Sequence, residues 1–343
     1  GLGRLGIPMP PVADERVVLH GPILIAGVFG TLIALERAVA MKTLLGRTWT
    51  FADVAPVLNG AGLIVLLVDG AGAPAIALMS AGAAVLVAVN LFFLRRSPTL
   101  DVLTMVLGAA FLLLADLAWL GERPVPFLTP WWTAFLVLTI VGERLELAKL
   151  RAHWQAAQAA FGLAVAAYIG ALLLMVVDEG LGMRLSGVGM IALTVWLLRY
   201  DIALMTIRRS GLPQFVAACL ISGYIWLGVS GAVILLSEPM FAGFSYDAYL
   251  HAVLLGFVFS MVFGHAPIIF PAVMERPIGF TPFAYVPLAV LHFSVALRIL
   301  ADLAGIQTVR QAAGVWTGVA IVLYGAFIVY GLMRGDSRSW DSR

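Results

Sequence analysis

The sequence predicts an all-α, polytopic membrane protein, a helix bundle with about eleven spans. Of its 343 residues, 62 % are hydrophobic and only 12 % are charged, whereas a soluble domain carries roughly 25 % charged residues. Apolar stretches of about 20 residues, the length that crosses a bilayer, follow one another along the whole chain. The single cysteine, Cys219, excludes a disulfide framework and a thiolate metal cluster.

Each span is an apolar run that ends at charges, glycine or proline. No connection is long enough for a second, soluble domain, so we expect one transmembrane domain over 1–343. The predicted helices cover 16–41, 50–69, 74–94, 99–120, 127–149, 155–177, 182–200, 212–237, 245–273, 281–303 and 309–333.

The distribution of Lys and Arg predicts the orientation of the spans, because the richer side of a membrane protein is cytoplasmic. Connections after odd-numbered helices and the C-terminal tail carry twelve of these residues, against five on the other side. We therefore expect residues 1–15 outside the cytoplasm and a cytoplasmic tail at 335–343. An outward N-terminus suggests a preceding helix absent from this sequence, which would make twelve spans.

Four of the five histidines fall within predicted spans, where ionisable residues are rare and usually functional. His20 and His251 begin helices of the same direction and should lie at one depth, toward the outer side. His265 follows His251 by 14 residues. On a regular α-helix this spacing places His265 about 21 Å deeper in the membrane and about 40° around the helix axis from His251. His292 in the next helix matches its depth. His153 lies in a polar loop.

Two histidine layers suit haem b, whose low-spin iron takes two imidazoles from different helices. We expect His20 and His251 to be axial ligands, and His265, with His292, to form a second cofactor or metal site. Small residues beside the first pair would leave room for a flat ligand: Gly21, Ala26, Gly27, Ala252 and Gly256. Alternatively, each histidine only hydrogen-bonds a neighbouring helix, as is common in membranes.

Helices 1, 5 and 9 resemble one another, which indicates a pseudo-threefold repeat of four helices. The alignment places Glu36, Glu143 and His265 at equivalent positions near the cytoplasmic ends of parallel helices. Glu36–Arg37 and Glu143–Arg144 form either a proton path or metal site with His265, or interhelical ion pairs with arginines that snorkel to the interface.

This pattern resembles the main subunit of haem–copper oxidases. With one N-terminal helix missing, His20 and His251 match the helices that carry the low-spin haem in that family. The predicted helices 5 and 6, however, lack the family's copper-binding histidines, and Tyr249 stands where a second haem ligand would be. The resemblance therefore implies neither oxygen reduction nor an oxidase-type copper site.

The segments LHGPILIAGVFG and HAVLLGFVFSMVFGHAPIIFPAV, followed by SVALRI, are more similar to the NnrS family. Its members are twelve-span relatives of the oxidase fold, associated with haem, copper and nitric oxide stress in denitrifying bacteria. The resemblance implies a bacterial inner-membrane protein and makes copper a further candidate ligand.

We thus expect a haem-b-binding membrane protein that acts in electron transfer or in nitrogen-oxide or oxygen handling. A partner subunit would supply electrons, and whether the chain is part of an oxidoreductase stays open. The alternative is a proton-coupled transporter that uses intramembrane His and Glu, with broken helices at Pro and Gly. A third is an assembly subunit without cofactor. No pattern for nucleotide, zinc or nucleic-acid binding occurs.

Overall fold

The computed structural model describes residues 6, 19–149, 154–238, 241–274 and 279–333. In this part of the chain eleven helices are long and apolar enough to cross a membrane, and no strand occurs. They are α1 His20–Leu45, α2 Phe51–Asp69, α3 Ala73–Arg96, α4 Leu100–Leu120, α5 Val125–Ala148, α6 Gln155–Leu174, α7 Glu179–Tyr200, α8 Leu212–Leu236, α9 Gly243–Phe270, α10 Pro282–Ala304 and α11 Gln307–Met333.

The predicted all-α membrane fold and its eleven spans are confirmed, with ends that differ by a few residues from those predicted. Large apolar side chains remain exposed on the helices, among them Leu163, Leu236 and Val322 at 74 %, 83 % and 71 %. Apolar surface of this extent is stable in lipid and not in water. The chain is therefore a multi-pass membrane protein.

Glycine and proline set many of the helix ends. Proline occupies the first turn of α3, α5 and α8, where its missing N–H costs no hydrogen bond. α1 and α10 end at Gly46 and Gly305, which have φ of 62° and 69°, the left-handed conformation that glycine adopts without strain. α7 begins at Asp178, whose carboxylate accepts a hydrogen bond from the Leu181 N–H. Short connections follow from these sharp ends.

Contacts group the helices into two compact units, one of residues 19–149 and one of residues 154–333 within the described chain. The expectation of one domain over 1–343 stays a prediction, and so does the threefold repeat.

The first unit contains α1–α5. Consecutive helices from α2 to α5 pack as antiparallel neighbours, and α1 packs on α2. α5 is the most buried described span, with 72 % of its central residues buried, so it forms the core of this unit. Thr133, Thr139 and Arg144 on α5 are consequently buried in protein.

The second unit contains α6–α11. α7 packs between α6 and α8, α8 packs on α9, and α10 contacts both α9 and α11. α7 and α8 cross at two glycines, Gly187 and Gly231. A Cβ at either position would lie 2.5–2.6 Å from the carbonyl oxygen of the other, so only glycine permits this approach.

Two of the spans are not regular α-helices. In α1 the segment Ile23–Phe29 is π-helical, and in α9 the segment Ala252–Val258 is π-helical. The angle of 40° between His251 and His265 assumed an uninterrupted α-helix and is therefore wrong, because a π turn spans one residue more than an α turn.

Several sequence predictions lie outside the described residues: the outer segment 1–15 apart from Gly6, the tail 335–343 and His153. The predicted orientation of the helices in the membrane stays a prediction.

Candidate functional site

The histidines predicted as haem ligands share one structural context. His20 begins α1 and lies three residues before its π segment, while His251 directly precedes the π segment of α9. π turns inside α-helices are rare and are found mostly at functional sites. No other π segment occurs in the described residues. The two positions predicted from depth alone thus carry the same irregularity of the backbone.

Two glycines predicted to leave room for a flat ligand beside these histidines, Gly27 and Gly256, are closely packed by side chains of other helices. A Cβ on Gly27 would lie 2.6 Å from Leu63 Cδ1, and one on Gly256 would lie 2.4 Å from Trp226 Cγ. The prediction that both glycines leave a slot for a flat ligand is wrong, because these side chains fill the room. Gly21, next to His20, does border open space, with no atom within 4 Å of a built Cβ.

His251 is held by the backbone of its own helix. Its Nδ1 lies 2.7 Å from the carbonyl oxygen of Asp247, one turn earlier, and the ring is partly buried. A carbonyl can only accept, so Nδ1 carries the proton and Nε2 keeps its lone pair. Metal-binding histidines are oriented in this way, with the second ring nitrogen donating to a carbonyl or carboxylate. The donor chemistry of His251 therefore fits haem iron.

Four charged side chains surround His251 at the same end of the second unit. Asp247 Oδ2 accepts hydrogen bonds from Arg298, at 2.9 Å, and from Arg310. Asp302 accepts through one oxygen from Arg298 Nε, at 3.1 Å, and through the other from Arg310 Nε. We call Asp247, Arg298, Asp302 and Arg310 the charge cluster. It joins α9, α10 and α11.

The geometry of the charge cluster brings metal-binding atoms together. One ligand atom each of Asp247, His251 and Asp302 lies within 4.8 Å of the others. Two guanidinium groups already pair with the two carboxylates, so the cluster is neutral without a metal. An added cation would have to displace Arg298 or Arg310. We therefore interpret the cluster as an ion-pair network that supports His251.

His265 lies deeper on α9, with Nδ1 2.8 Å from the carbonyl oxygen of Met261. This is the same i−4 arrangement as at His251. Nearby, the Tyr324 hydroxyl of α11 donates to the Phe263 carbonyl at 2.5 Å, and the two rings stack 3.7 Å apart. His265 is thus on a well-fixed part of α9, and its role as a ligand stays a prediction.

His292 makes the interhelical hydrogen bond that was its alternative interpretation. Its Nδ1 accepts from Trp226 Nε1 at 2.8 Å, and the two rings lie nearly coplanar, with 18° between their planes and 6.4 Å between their centroids. Nε2 then carries the proton, and it is buried without a partner in the described part of the chain. Trp226 also fills the space at Gly256. In this state His292 offers no lone pair to a metal, so a ligand role would require the Trp226 bond to break.

The four predicted polar residues of the first unit come together in part. Arg37 on α1 donates to Glu143 on α5 at 2.9 Å and lies 3.4 Å from Glu36. Arg144 is buried, with 4 % of its surface exposed. Arg37 and Glu143 therefore form an interhelical ion pair, and the proton path of the other interpretation stays a prediction. His265 lies in the other unit, and its approach to these carboxylates stays a prediction.

A family model described as a domain of unknown function, DUF8744, matches residues 1–332. The chain belongs to the DUF8744 family. No curated protein and no solved structure matches the chain. Membership in DUF8744 brings no named activity with it, so the function of this DUF8744 protein has to be argued from its own residues.

Most of the charge cluster was not predicted from the sequence. Arg298 lies in the SVALRI segment that carries the family resemblance, and Asp247, Asp302 and Arg310 were not among the predicted site residues. The sequence does contain an indication of the cluster. Its four charges lie within one or two helical turns of the ends of three consecutive spans, and these ends are on the same side of the membrane. A single sequence does not show, however, that these charges pair with one another.

Proposed function

We propose that this protein binds haem b within the membrane and acts in electron transfer or in the handling of nitrogen oxides or oxygen. The observation that carries the proposal is the pair of histidines, His20 and His251, each at the start of a π-helical segment of a membrane span. When bound, haem b supplies one-electron chemistry at iron held between axial imidazoles.

The hydrogen bond of His251 within α9 supports its proposed role as an axial ligand. The Asp247 carbonyl fixes the His251 ring with Nε2 as the ligand nitrogen. The guanidinium groups of Arg298 and Arg310 hold the Asp247 carboxylate and so restrain the turn that positions the ring. The assignment of His20 as the second ligand rests on the sequence argument of equal depth and on its own π segment.

The spectrum of the purified protein tests the proposal. We expect an absorption spectrum of six-coordinate, low-spin haem b in protein produced with sufficient haem. His20→Ala and His251→Ala should each abolish that spectrum or convert it to high spin, because each removes one axial ligand. His153→Ala is the matched control and should leave the low-spin spectrum intact.

Two results would overturn the proposal. The first is folded protein that takes up no haem, either from the cell or from added haemin. The second is a full low-spin spectrum that survives both ligand replacements. Size-exclusion profiles of the two variants, compared with the parent protein, show whether a lost spectrum reflects a lost ligand or a lost fold.

A proton-coupled transporter is the second candidate, favoured by the pair of Arg37 and Glu143 inside the membrane. Paired charges at this depth are characteristic of ion and proton pathways. The same absorption spectrum separates the two candidates, since a transporter would be folded and colourless.

A further inference from the structure

A second polar site lies in the first unit, away from every residue discussed so far. Asp116 is located one turn before the end of α4 and is completely buried, with 0 % of its surface exposed. It is about 6 Å inside the end of the helix. The rings of Trp119 and Trp132 pack edge to face with their centroids 5.3 Å apart, and Trp132 contacts the Asp116 carboxyl group.

The carboxyl group of Asp116 has one hydrogen bond. Trp132 Nε1 on α5 donates to Oδ1 at 2.8 Å, and Oδ2 is buried without a partner among the described residues. This indole is a neutral donor. The Asp116 carboxyl group is thus solvated by a single N–H, whereas a buried carboxylate is normally stabilised by two or three donors or by a cation.

No cation pairs with Asp116 in the described structure. The other ionisable residues of α4 and of its two packing partners, α3 and α5, all lie toward the opposite ends: Arg95, Arg96, Asp101, Glu143, Arg144 and Glu146. Fifteen residues separate Asp101 from Asp116, about 22 Å along the helix. Arg123, in the adjacent connection, lies over the ring of Phe127, 4.9 Å from its centroid.

Two other buried aspartates of this unit each have a cationic partner. Asp101 lies 3.2 Å from Lys149 Nζ, and Asp53 lies 2.7 Å from Lys42 Nζ. Asp116 is equally buried and has no such partner. An unpaired carboxylate inside a membrane protein has a large desolvation cost, which the group avoids by binding a proton.

We infer that Asp116 is a proton-binding site inside the membrane, a carboxylic acid that keeps its proton at neutral pH. Oδ1 is then the carbonyl oxygen that accepts from Trp132, and the proton resides on Oδ2. This assignment is independent of haem binding, because it uses residues of α4 and α5 alone.

The position of the site on α5 connects it with the ion pair at the other end of the unit. Trp132 and Glu143 are 11 residues apart, which places them about 20° from the same line along the helix and about 16 Å apart. The most buried helix thus contacts a protonated carboxyl group near one end and carries an ion-paired carboxylate near the other.

Infrared difference spectroscopy tests the inference directly. The carbonyl stretching band of a protonated carboxylic acid should be present at neutral pH in the parent protein and lost in Asp116→Asn. Asp101→Asn is the matched control and should leave that band unchanged, because Asp101 is paired with Lys149. Trp132→Phe keeps the acid and removes its hydrogen bond, so the band should move to higher frequency.

Dicyclohexylcarbodiimide, an apolar reagent for buried protonated carboxyl groups, gives a second readout. The acid adds across one C=N bond of the reagent and its proton moves to nitrogen, which gives an O-acylisourea. Its acyl group then shifts from oxygen to nitrogen within the adduct, so a stable N-acylurea forms without a leaving group. We expect the adduct on the peptide that contains Asp116, and none on Asp101 or Asp53. An acid band that is identical in the parent and Asp116→Asn would overturn the inference, as would a Trp132→Phe protein with an unshifted band.

Discussion

At the scale of single residues, the charge cluster shows how a membrane protein keeps four charges in an apolar setting. Arg298 and Asp302 are 7 % and 0 % exposed, and each has a charged partner on more than one side. The desolvation of such groups is offset only while the set is complete. The complete cluster therefore reduces the stability of the fold little, whereas the loss of one member leaves a buried charge unpaired and destabilises the fold strongly.

Asp302→Ala should consequently destabilise the second unit by about 3 kcal/mol, because it leaves two buried guanidinium groups with one carboxylate. The measurement is thermal or denaturant unfolding in a mild detergent. Glu238→Ala is the control, since the Arg184–Glu238 pair is largely exposed, and should change stability by less than about 1 kcal/mol. Equal effects of the two changes would show that the cluster is not a buried network.

At the scale of helices, close packing in the second unit depends on glycine at the crossing of α7 and α8. A Cβ at Gly187 would come within 2.5 Å of the Gly231 carbonyl oxygen, which belongs to the backbone and cannot move aside. Packing of this kind holds membrane helices together by van der Waals contact, since lipid gives no hydrophobic driving force between them.

Gly187→Ala should therefore lower the free energy of unfolding by roughly 1–3 kcal/mol, the usual cost of overpacking. Gly170→Ala on α6 should be neutral or stabilising, because nothing lies within 4 Å of its Cβ and alanine is the better helix former. Unfolding in detergent compares the two variants. If Gly187→Ala were as stable as Gly170→Ala, the two helices would not approach as closely as described.

The helices themselves could be predicted from the sequence because length and apolarity decide whether a segment spans a membrane. The interior of the spans was less predictable. The π segments of α1 and α9 arise from local backbone hydrogen bonding that hydropathy does not encode. Likewise, the side chains that fill the space at Gly27 and Gly256 come from other helices, which one sequence cannot assign. The bond between Trp132 and Asp116 was missed for the same reason.

At the scale of the whole molecule, the orientation predicted from Lys and Arg can be tested on cells. With the N-terminus outside, the connection at 242 is external, and residue 45, the last of α1, is at the cytoplasmic side. Ala242→Cys should react with an impermeant maleimide on intact cells, while Leu45→Cys should react only after permeabilisation. Cys219 is completely buried and should give no background. Labelling of position 45 alone on intact cells would reverse the orientation.

The π segment of α9 also determines how this helix responds to a change in its length. Each π turn contains about one residue more than an α turn, so the segment is equivalent to an α-helix with an inserted residue. A deletion of one residue within Ala252–Val258 would convert it to α-helix and leave the contacts of the flanking turns largely in place. A deletion in the regular α-helix that follows has no such reserve, and it would rotate His251 by about 100° relative to the turns beyond the deleted residue. A DUF8744 protein that lacks one residue within Ala252–Val258 would therefore keep both its fold and the direction of this histidine.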